Sequence, residues 1–317
     1  MKKILNNAFL LFLFFSCSFL NHRDKIDSGE INNSADSGII INIDDDSVVY
    51  GPSASVKQDE GINSKKRDPV IMHVLAPGLF LTSSYIGTLK RFERDKIPVN
   101  MLAGSEFGAL IAALYSKYKK TSMLEWKIFS LNQKLLKAGK IYKDNWNDIL
   151  YKFIDNEFKN EKIEKYKIPL ILPLYSKQYN KVIYVKKGRA TTILKAQFRI
   201  DHADKLSFLP PQDLVLYSLD ALKDKGADIV VGHKVLQDKI SFYEDNGFLW
   251  GVYQNIRDRF NSEFNALDVV VIPDLKNINI DDSQKSTETI SLSSTQAEFW
   301  ALEISQKIEK WKEENND

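Results

Sequence analysis

The sequence predicts an α/β fold built around a mostly parallel sheet. Two short apolar runs, 70–75 and 99–103, have the length and composition of buried strands. The segment between them places four apolar residues near one face of a helix: Tyr85, Ile86, Leu89 and Phe92. Strong helix formers, 109–114, follow the second run. Strands that alternate with helices in this way are typical of βαβ units, in which the strands are parallel.

A turn bracketed by two glycines joins the second predicted strand to the helix that follows it. It reads Gly104-Ser105-Glu106-Phe107-Gly108. A strand that enters a helix through G-x-S-x-G forms a nucleophile elbow, which holds its central serine at the helix N-terminus. Here the central residue is Glu106, and Ser105 lies one position earlier. The sequence therefore predicts an elbow with a carboxylate at its apex.

Four segments, taken in order, resemble the patatin-like phospholipase family of lipid acyl hydrolases. The stretch 104–110 resembles the family's G-T-S-A-G-A-L elbow, and 86–90 resembles its I-G-V-L-K helix. The segments 226–231 and 268–273 resemble its G-A-D-V-V and D-V-V-I-x-P strands. The resemblance extends over residues 69–311. It implies a three-layer α/β/α sandwich with a mostly parallel central sheet and, in active members, a Ser-Asp dyad.

The same resemblance indicates that three parts of the catalytic machinery are altered. The nucleophile position is occupied by Glu106. The glycine-rich oxyanion loop aligns with 77–82, where Gly78 is the remaining glycine and Pro77 has no N–H to donate. The catalytic Asp-Gly-Gly falls just before Asp213, which is the nearest aspartate. Losing one oxyanion donor alone costs roughly 10²–10³ in rate, so we do not expect lipase-level activity.

Three functions are compatible with these residues. The first is a non-catalytic module that binds a phospholipid or fatty-acyl ligand, or envelope proteins. The second is an altered carboxylic-ester hydrolase, with Ser105 as a displaced nucleophile and Asp213 as its base. The third is an inert structural lipoprotein of the envelope. We favour the first, because a carboxylate at Glu106 would be stabilised by the helix dipole and would repel a developing oxyanion.

The beginning of the chain resembles a bacterial export signal with a lipid attachment site. Two lysines precede the apolar stretch 8–15, which is too short to span a bilayer as a stable helix. Ser16 directly precedes Cys17, the only cysteine in the sequence, and this pair resembles a lipoprotein box. Multiple acyl chains on Cys17 would anchor the protein stably to membrane lipid. We therefore expect the protein at the bacterial cell envelope, on the outer membrane or the periplasmic face.

These features divide the chain into three predicted parts. They are a signal peptide at 1–16, a lipidated Cys17 with a flexible polar tether at 17–67, and a patatin-like domain at 68–317. The tether is rich in Ser, Asn, Asp and Gly and has too few apolar residues for a core of its own.

Charge and histidine spacing argue against several other classes of function. The 44 basic and 42 acidic residues nearly balance, so we predict no nucleic-acid partner. The four histidines show no metal-ligand spacing, and we predict no metal and no cofactor. We interpret His73, inside a buried strand pattern, as a core residue. His233 follows a predicted strand at its carboxyl end and is a further site candidate.

The segment 117–167 predicts charged helices. We interpret the aromatic residues Trp126 and Phe129 as part of the core rather than as a lipid-docking stripe. Positive charge is concentrated here, as a solvated face or as a surface for anionic lipid, on seven lysines: Lys117, Lys119, Lys120, Lys134, Lys137, Lys140 and Lys143.

The remaining sequence predicts more alternating structure. Two strands are expected at 168–174 and 181–185, and a helix at 190–199. The stretch 242–264 has helical spacing and either covers the sheet or forms a lid over the cleft. A polar loop at 283–294 should precede a last amphipathic helix capped by Thr295.

Overall fold

The fold is α/β with a mostly parallel sheet, which confirms the predicted class, and the described residues form seven α-helices. A computed structural model describes residues 67–138, 141, 144–176, 181–198, 208–209, 222–237, 241–242, 247–264 and 267–315. The predicted signal peptide, the lipidated Cys17 and the tether before Arg67 lie outside these residues, as do Asp213 and His202.

The sheet runs in the order β4-β3-β2-β1-β6-β7, with β5 paired to β3. Its strands are β1 (Ile71–Leu75), β2 (Met101–Gly104), β3 (Leu170–Ser176), β4 (Lys181–Val185), β5 (Phe208–Leu209), β6 (Ile229–His233) and β7 (Val269–Val271). The pairs β1–β2, β2–β3, β1–β6 and β6–β7 are parallel, whereas β4 and β5 pair with β3 in antiparallel fashion. β1 thus lies between β2 and β6, at the point where the strand order reverses and α/β folds place their ligand sites.

The helices follow the alternation that the sequence predicts. They are α1 (Ser83–Asp95), α2 (Phe107–Tyr118), α3 (Thr121–Lys137), α4 (Asp144–Phe158), α5 (Ala190–Ala196), α6 (Gly247–Phe264) and α7 (Ser286–Asn315). A 3-10 turn, Leu79–Thr82, leads into α1. Left-handed residues end the first two helices, Lys96 after α1 and Lys119 after α2, each with a backbone N–H bonded to the last helical turn.

The two faces of the sheet bury different apolar sets. On one face, Ile71 and Val231 join the inward residues of α7, including Ala297 and Ile304. On the other face, Met72 belongs to the larger core formed with α2, α3 and α4. This division follows from the period of two along each strand, which sends successive side chains to opposite faces.

The last helix begins at Ser286, so the predicted loop at 283–294 and the predicted cap at Thr295 were wrong. The side chain of Asp282 accepts the N–H groups of the 3-10 turn that leads into this helix. Ser293 turns inward and donates to the Ser84 carbonyl of α1 at 2.8 Å. A Cβ on Gly87 of α1 would lie 2.1 Å from a backbone oxygen of α7, so this crossing requires glycine. The polar segment is helical because its small hydroxyl residues fit against α1.

The interpretation of Trp126 and Phe129 as core residues was also wrong. Trp126 is 62% exposed and Phe129 is 50% exposed. The side of α3 that packs inward carries Leu124, Ile128, Leu131 and Leu135. By contrast, Trp146 of α4 is fully buried. Within the described part of the chain, no helix is both long and apolar enough to cross a membrane.

Candidate functional site

Glu106 forms the apex of a strained turn between β2 and α2. Its backbone has φ 54° and ψ −126°, a conformation that residues other than glycine rarely adopt. Glu106 directly precedes Phe107, the first residue of α2, at the position where a nucleophile elbow holds its serine. The structure thus places Glu106 in the turn between strand and helix, where the sequence expected it.

The two elbow glycines allow α2 to approach the sheet very closely. A Cβ on Gly108 would lie 2.3 Å from the Leu75 carbonyl oxygen at the end of β1. A Cβ on Gly104 would lie 2.6 Å from the Gly108 carbonyl oxygen. Both contacts are with backbone atoms, which cannot rotate away. Any larger residue would push α2 off the carboxyl ends of the strands.

The Glu106 side chain lies in a seat made of hydrogen-bond donors. The backbone N–H groups of Gly78 and Leu79 both donate to Glu106 Oε2, at 3.0 and 3.3 Å. The Tyr253 hydroxyl of α6 donates to Glu106 Oε1. Glu106 is 2% exposed and Tyr253 is 1% exposed. The carboxylate is thus held on both oxygens inside the protein.

The backbone of Glu106 is fixed from the opposite side by Gln197. The Glu106 N–H donates to Gln197 Oε1 at 3.2 Å, and Gln197 Nε2 donates to the Pro173 carbonyl at 2.7 Å. Gln197, which follows α5, is fully buried. This amide links the elbow to β3 and stabilises the strained turn.

The loop that supplies the two N–H donors is shaped by its own backbone. Leu79 has φ 46°, a left-handed conformation that favours glycine. A Cβ on Gly78 would lie 2.2 Å from the Val235 side chain. The loop is tied to β6 by a hydrogen bond from the Ala76 N–H to the His233 carbonyl at 3.0 Å. One glycine and one strained leucine thus maintain a loop that points two N–H groups at Glu106.

Two amide donors that converge on one oxygen have the arrangement of an oxyanion hole. In this chain the occupant is the carboxylate of Glu106 itself. The N-terminus of α2 adds a favourable dipole for a negative charge at the same point. The site can hold an anionic oxygen, and its own side chain fills that place.

The structure brings together most of the site residues that the sequence singled out. Glu106, Gly78, Gly104 and Gly108 meet at the carboxyl ends of β1 and β2. Ser105 is adjacent and 1% exposed, with its N–H donating to the Leu75 carbonyl at 3.1 Å. The proposed base Asp213 and the proposed lipid attachment residue Cys17 lie outside the described residues.

Sequence reasoning missed Tyr253 and the role of Gln197. Tyr253 lies 147 residues from its partner Glu106, within a segment whose helical spacing predicted only a cover or a lid. Gln197 lies within the helix predicted at 190–199, and nothing in that local pattern indicated the hydrogen bond that it makes.

The two strand histidines form a buried pair behind the site. His73 Nδ1 and His233 Nε2 are 2.9 Å apart, and His73 Nε2 is 3.1 Å from the Pro98 carbonyl. A neutral His73 that donates to Pro98 leaves its Nδ1 to accept from His233 Nε2–H. Burial lowers the pKa of His73 to about 4, and burial with the neighbouring ring lowers the pKa of His233 well below its ordinary value. His73 is a core residue, as predicted.

One lysine of the predicted surface, Lys117, forms internal ion pairs together with Lys127, which was not part of that prediction. Lys117 and Lys127 surround the buried carboxylate of Glu157. The Tyr118 hydroxyl also donates to Glu157, and burial together with this bond raises the pKa of Tyr118. These contacts join α2, α3 and α4, so the two lysines are part of the internal packing.

Comparison with known proteins leaves the family open. No protein-family model matches the chain. Among the described residues, no group of three or more His, Cys, Asp or Glu side chains is arranged to hold a metal ion.

Proposed function

We propose that this chain is a patatin-like domain that has lost catalysis and serves as a lipid-binding or protein-interaction module at the bacterial envelope. The observation that carries the proposal is the Glu106 carboxylate bound by the N–H groups of Gly78 and Leu79. A substrate carbonyl would need the same donors to stabilise its oxyanion. The side chain that replaces the nucleophile therefore also competes for the oxyanion position.

The patatin-like sandwich is supported by the elbow and by its place in the sheet. Glu106 has the left-handed backbone expected for the residue at the apex of such a turn. The parallel strands β1 and β2 end side by side, with Leu75 opposite Gly104. Helix α7 covers one face of the sheet, and α2 packs on β2 with the larger core. This arrangement is consistent with the resemblance of the chain's sequence motifs to those of the patatin-like family.

The envelope location rests on the first residues of the sequence. The apolar stretch before Cys17 and the polar tether behind it are typical of an anchored lipoprotein.

Labelling with a fluorophosphonate tests the proposal. Such a probe phosphonylates an activated serine, whose oxygen displaces fluoride from phosphorus. We expect no labelling of the wild-type chain or of Ser105→Ala under conditions that label an active serine hydrolase. Labelling of the wild type that Ser105→Ala removes would support the displaced-nucleophile hydrolase instead and overturn the proposal.

A further inference from the structure

Helix α3 carries a second apolar stripe that faces solvent. Its members are Trp126, Phe129 and Leu136, exposed by 62%, 50% and 42%. Their spacing of three and seven residues places them on one face of the helix, opposite the leucines and isoleucine that pack inward. A helix that is already anchored by its buried face therefore presents a second surface of large apolar side chains.

The stripe borders a shallow groove at the start of α7. Trp126 and Phe129 line one wall, and Ser286, Thr287 and Ile290 line the other, around a volume of about 270 Å³. The groove extends the apolar surface away from the α3 helix and adds hydroxyl groups at its edge. Such a mixture of aromatic, aliphatic and hydroxyl groups suits the boundary between lipid headgroups and acyl chains.

The charge around this stripe is positive. Lys134 and Lys137 on α3 are exposed, and so are Lys119 and Lys120 just before the helix begins. In the described part of the chain, none of these four lysines forms an ion pair. The acidic residue beside the stripe, Glu125, is neutralised by Lys90 at 3.0 Å. The uncompensated charge at this surface is therefore cationic.

A second exposed apolar pair on α7 has the opposite surroundings. Phe299 and Leu302 are exposed by 69% and 61%, which is more than Phe129 and Leu136 of the α3 stripe. They are flanked in sequence by Glu298, which is paired with Arg91 at 2.9 Å, and by Glu303, for which the described residues provide no ion pair. An anionic bilayer would attract the unpaired lysines of α3 and repel the unpaired Glu303 of α7. Charge thus distinguishes two surfaces that exposure alone would rank together.

We propose that the stripe of α3 docks on an anionic lipid surface. Trp126 and Phe129 would enter the headgroup region, while Lys134 and Lys137 would contact the lipid phosphates. The predicted lipid anchor at Cys17 would keep this surface close to a bilayer. The inference rests on the proposed lipid-binding module and names its surface, and it is independent of whether the elbow at Glu106 has residual activity.

A fluorophore attached at single positions tests the proposal on the full chain. Cys17 is the only cysteine, so Cys17→Ser gives a background in which Phe129→Cys or Phe299→Cys carries one polarity-sensitive label. Each protein is titrated with vesicles of equimolar phosphatidylglycerol and phosphatidylcholine, and with phosphatidylcholine alone. The matched label at residue 299 controls for any binding that the N-terminal segment produces by itself.

We expect a blue shift from the label at residue 129 on the anionic vesicles only, and no shift from the label at residue 299. Lys134→Gln and Lys137→Gln should each weaken the apparent lipid affinity about fivefold, from ~1 kcal/mol per lysine. The absence of a shift from the label at residue 129 would overturn the proposal. This is the result expected if the partner of the stripe is a protein. An equal shift at residue 299, or on the neutral vesicles, would also overturn it. The loss of catalysis is tested separately by ester turnover, which this vesicle titration does not measure. The two proposals can therefore fail independently.

Discussion

Replacing Glu106 with alanine should destabilise the protein through the donors that the carboxylate now satisfies. The N–H groups of Gly78 and Leu79 and the hydroxyl of Tyr253 would lose their buried acceptor. A buried donor left unsatisfied costs about 1–3 kcal/mol. Water can enter the space that the side chain vacates, so we take the lower part of the sum. The expected loss in the free energy of unfolding is roughly 3–5 kcal/mol.

Two matched variants separate hydrogen bonding from backbone strain at the same position. Glu106→Gln keeps the shape and one acceptor oxygen, and should cost about 1 kcal/mol. Glu106→Gly removes the same hydrogen bonds as Glu106→Ala but relieves the φ of 54°. The glycine variant should therefore be about 1 kcal/mol more stable than the alanine variant.

A double-mutant cycle with Tyr253→Phe isolates the contact between the hydroxyl and the carboxylate. Urea unfolding followed by tryptophan fluorescence reports on the core, because Trp146 is fully buried. We expect a coupling energy between Glu106→Ala and Tyr253→Phe of about 1.5–3 kcal/mol. Two results would refute the claim that buried donors hold the Glu106 carboxylate. They are additive effects of the two substitutions, or a loss in the free energy of unfolding below about 0.5 kcal/mol for Glu106→Ala.

Four further perturbations test packing and electrostatics. Gly108→Ala should lower the free energy of unfolding by about 3 kcal/mol, because its Cβ would lie 2.3 Å from the Leu75 oxygen. Gly251→Ala, in open space inside α6, should raise it by about 0.5–1 kcal/mol, and urea midpoints compare the two. His73 has a pKa lowered from 6.5 to about 4, so its contribution is complete above pH 6.5 and is lost as the pH falls towards 4. The loss should be about 3 kcal/mol, checked by urea unfolding across this range and by NMR titration of the imidazole. Glu157→Ala should cost about 3–5 kcal/mol in thermal or urea unfolding, because it leaves partly buried cations without their partner; a loss near zero would contradict this network.

The parts of the fold that the sequence predicted well depend on local patterns. The strands β1 and β2 are continuous apolar runs, and the elbow requires glycine wherever backbone meets backbone. These requirements are visible in neighbouring residues and need no knowledge of distant contacts. The apex position of Glu106 followed from the same local pattern.

Two predictions failed because the deciding contacts are not local. Helix α3 has two sets of apolar residues at helical spacing, and periodicity alone could not tell that Trp126 belongs to the outer one. The start of α7 is rich in Ser and Thr, and it is helical because Ser293 fits against Gly87 and bonds to Ser84 of α1.

Prediction of the candidate site from the sequence also failed where contacts between distant residues decide the structure. The sequence predicted a carboxylate at the elbow and two altered motifs around it. It could not predict that the carboxylate would bind the donors of the loop at Gly78, or that Tyr253 would complete the seat. Those contacts span 28 and 147 residues, a separation at which sequence spacing carries no information.

The most direct test of the central claim is ester and phospholipid turnover by the purified wild-type protein beside Ser105→Ala. If the Glu106 carboxylate occupies the oxyanion position, both proteins should release product no faster than the buffer alone. Turnover by the wild type that disappears in Ser105→Ala would contradict the account and establish a hydrolase with a displaced nucleophile.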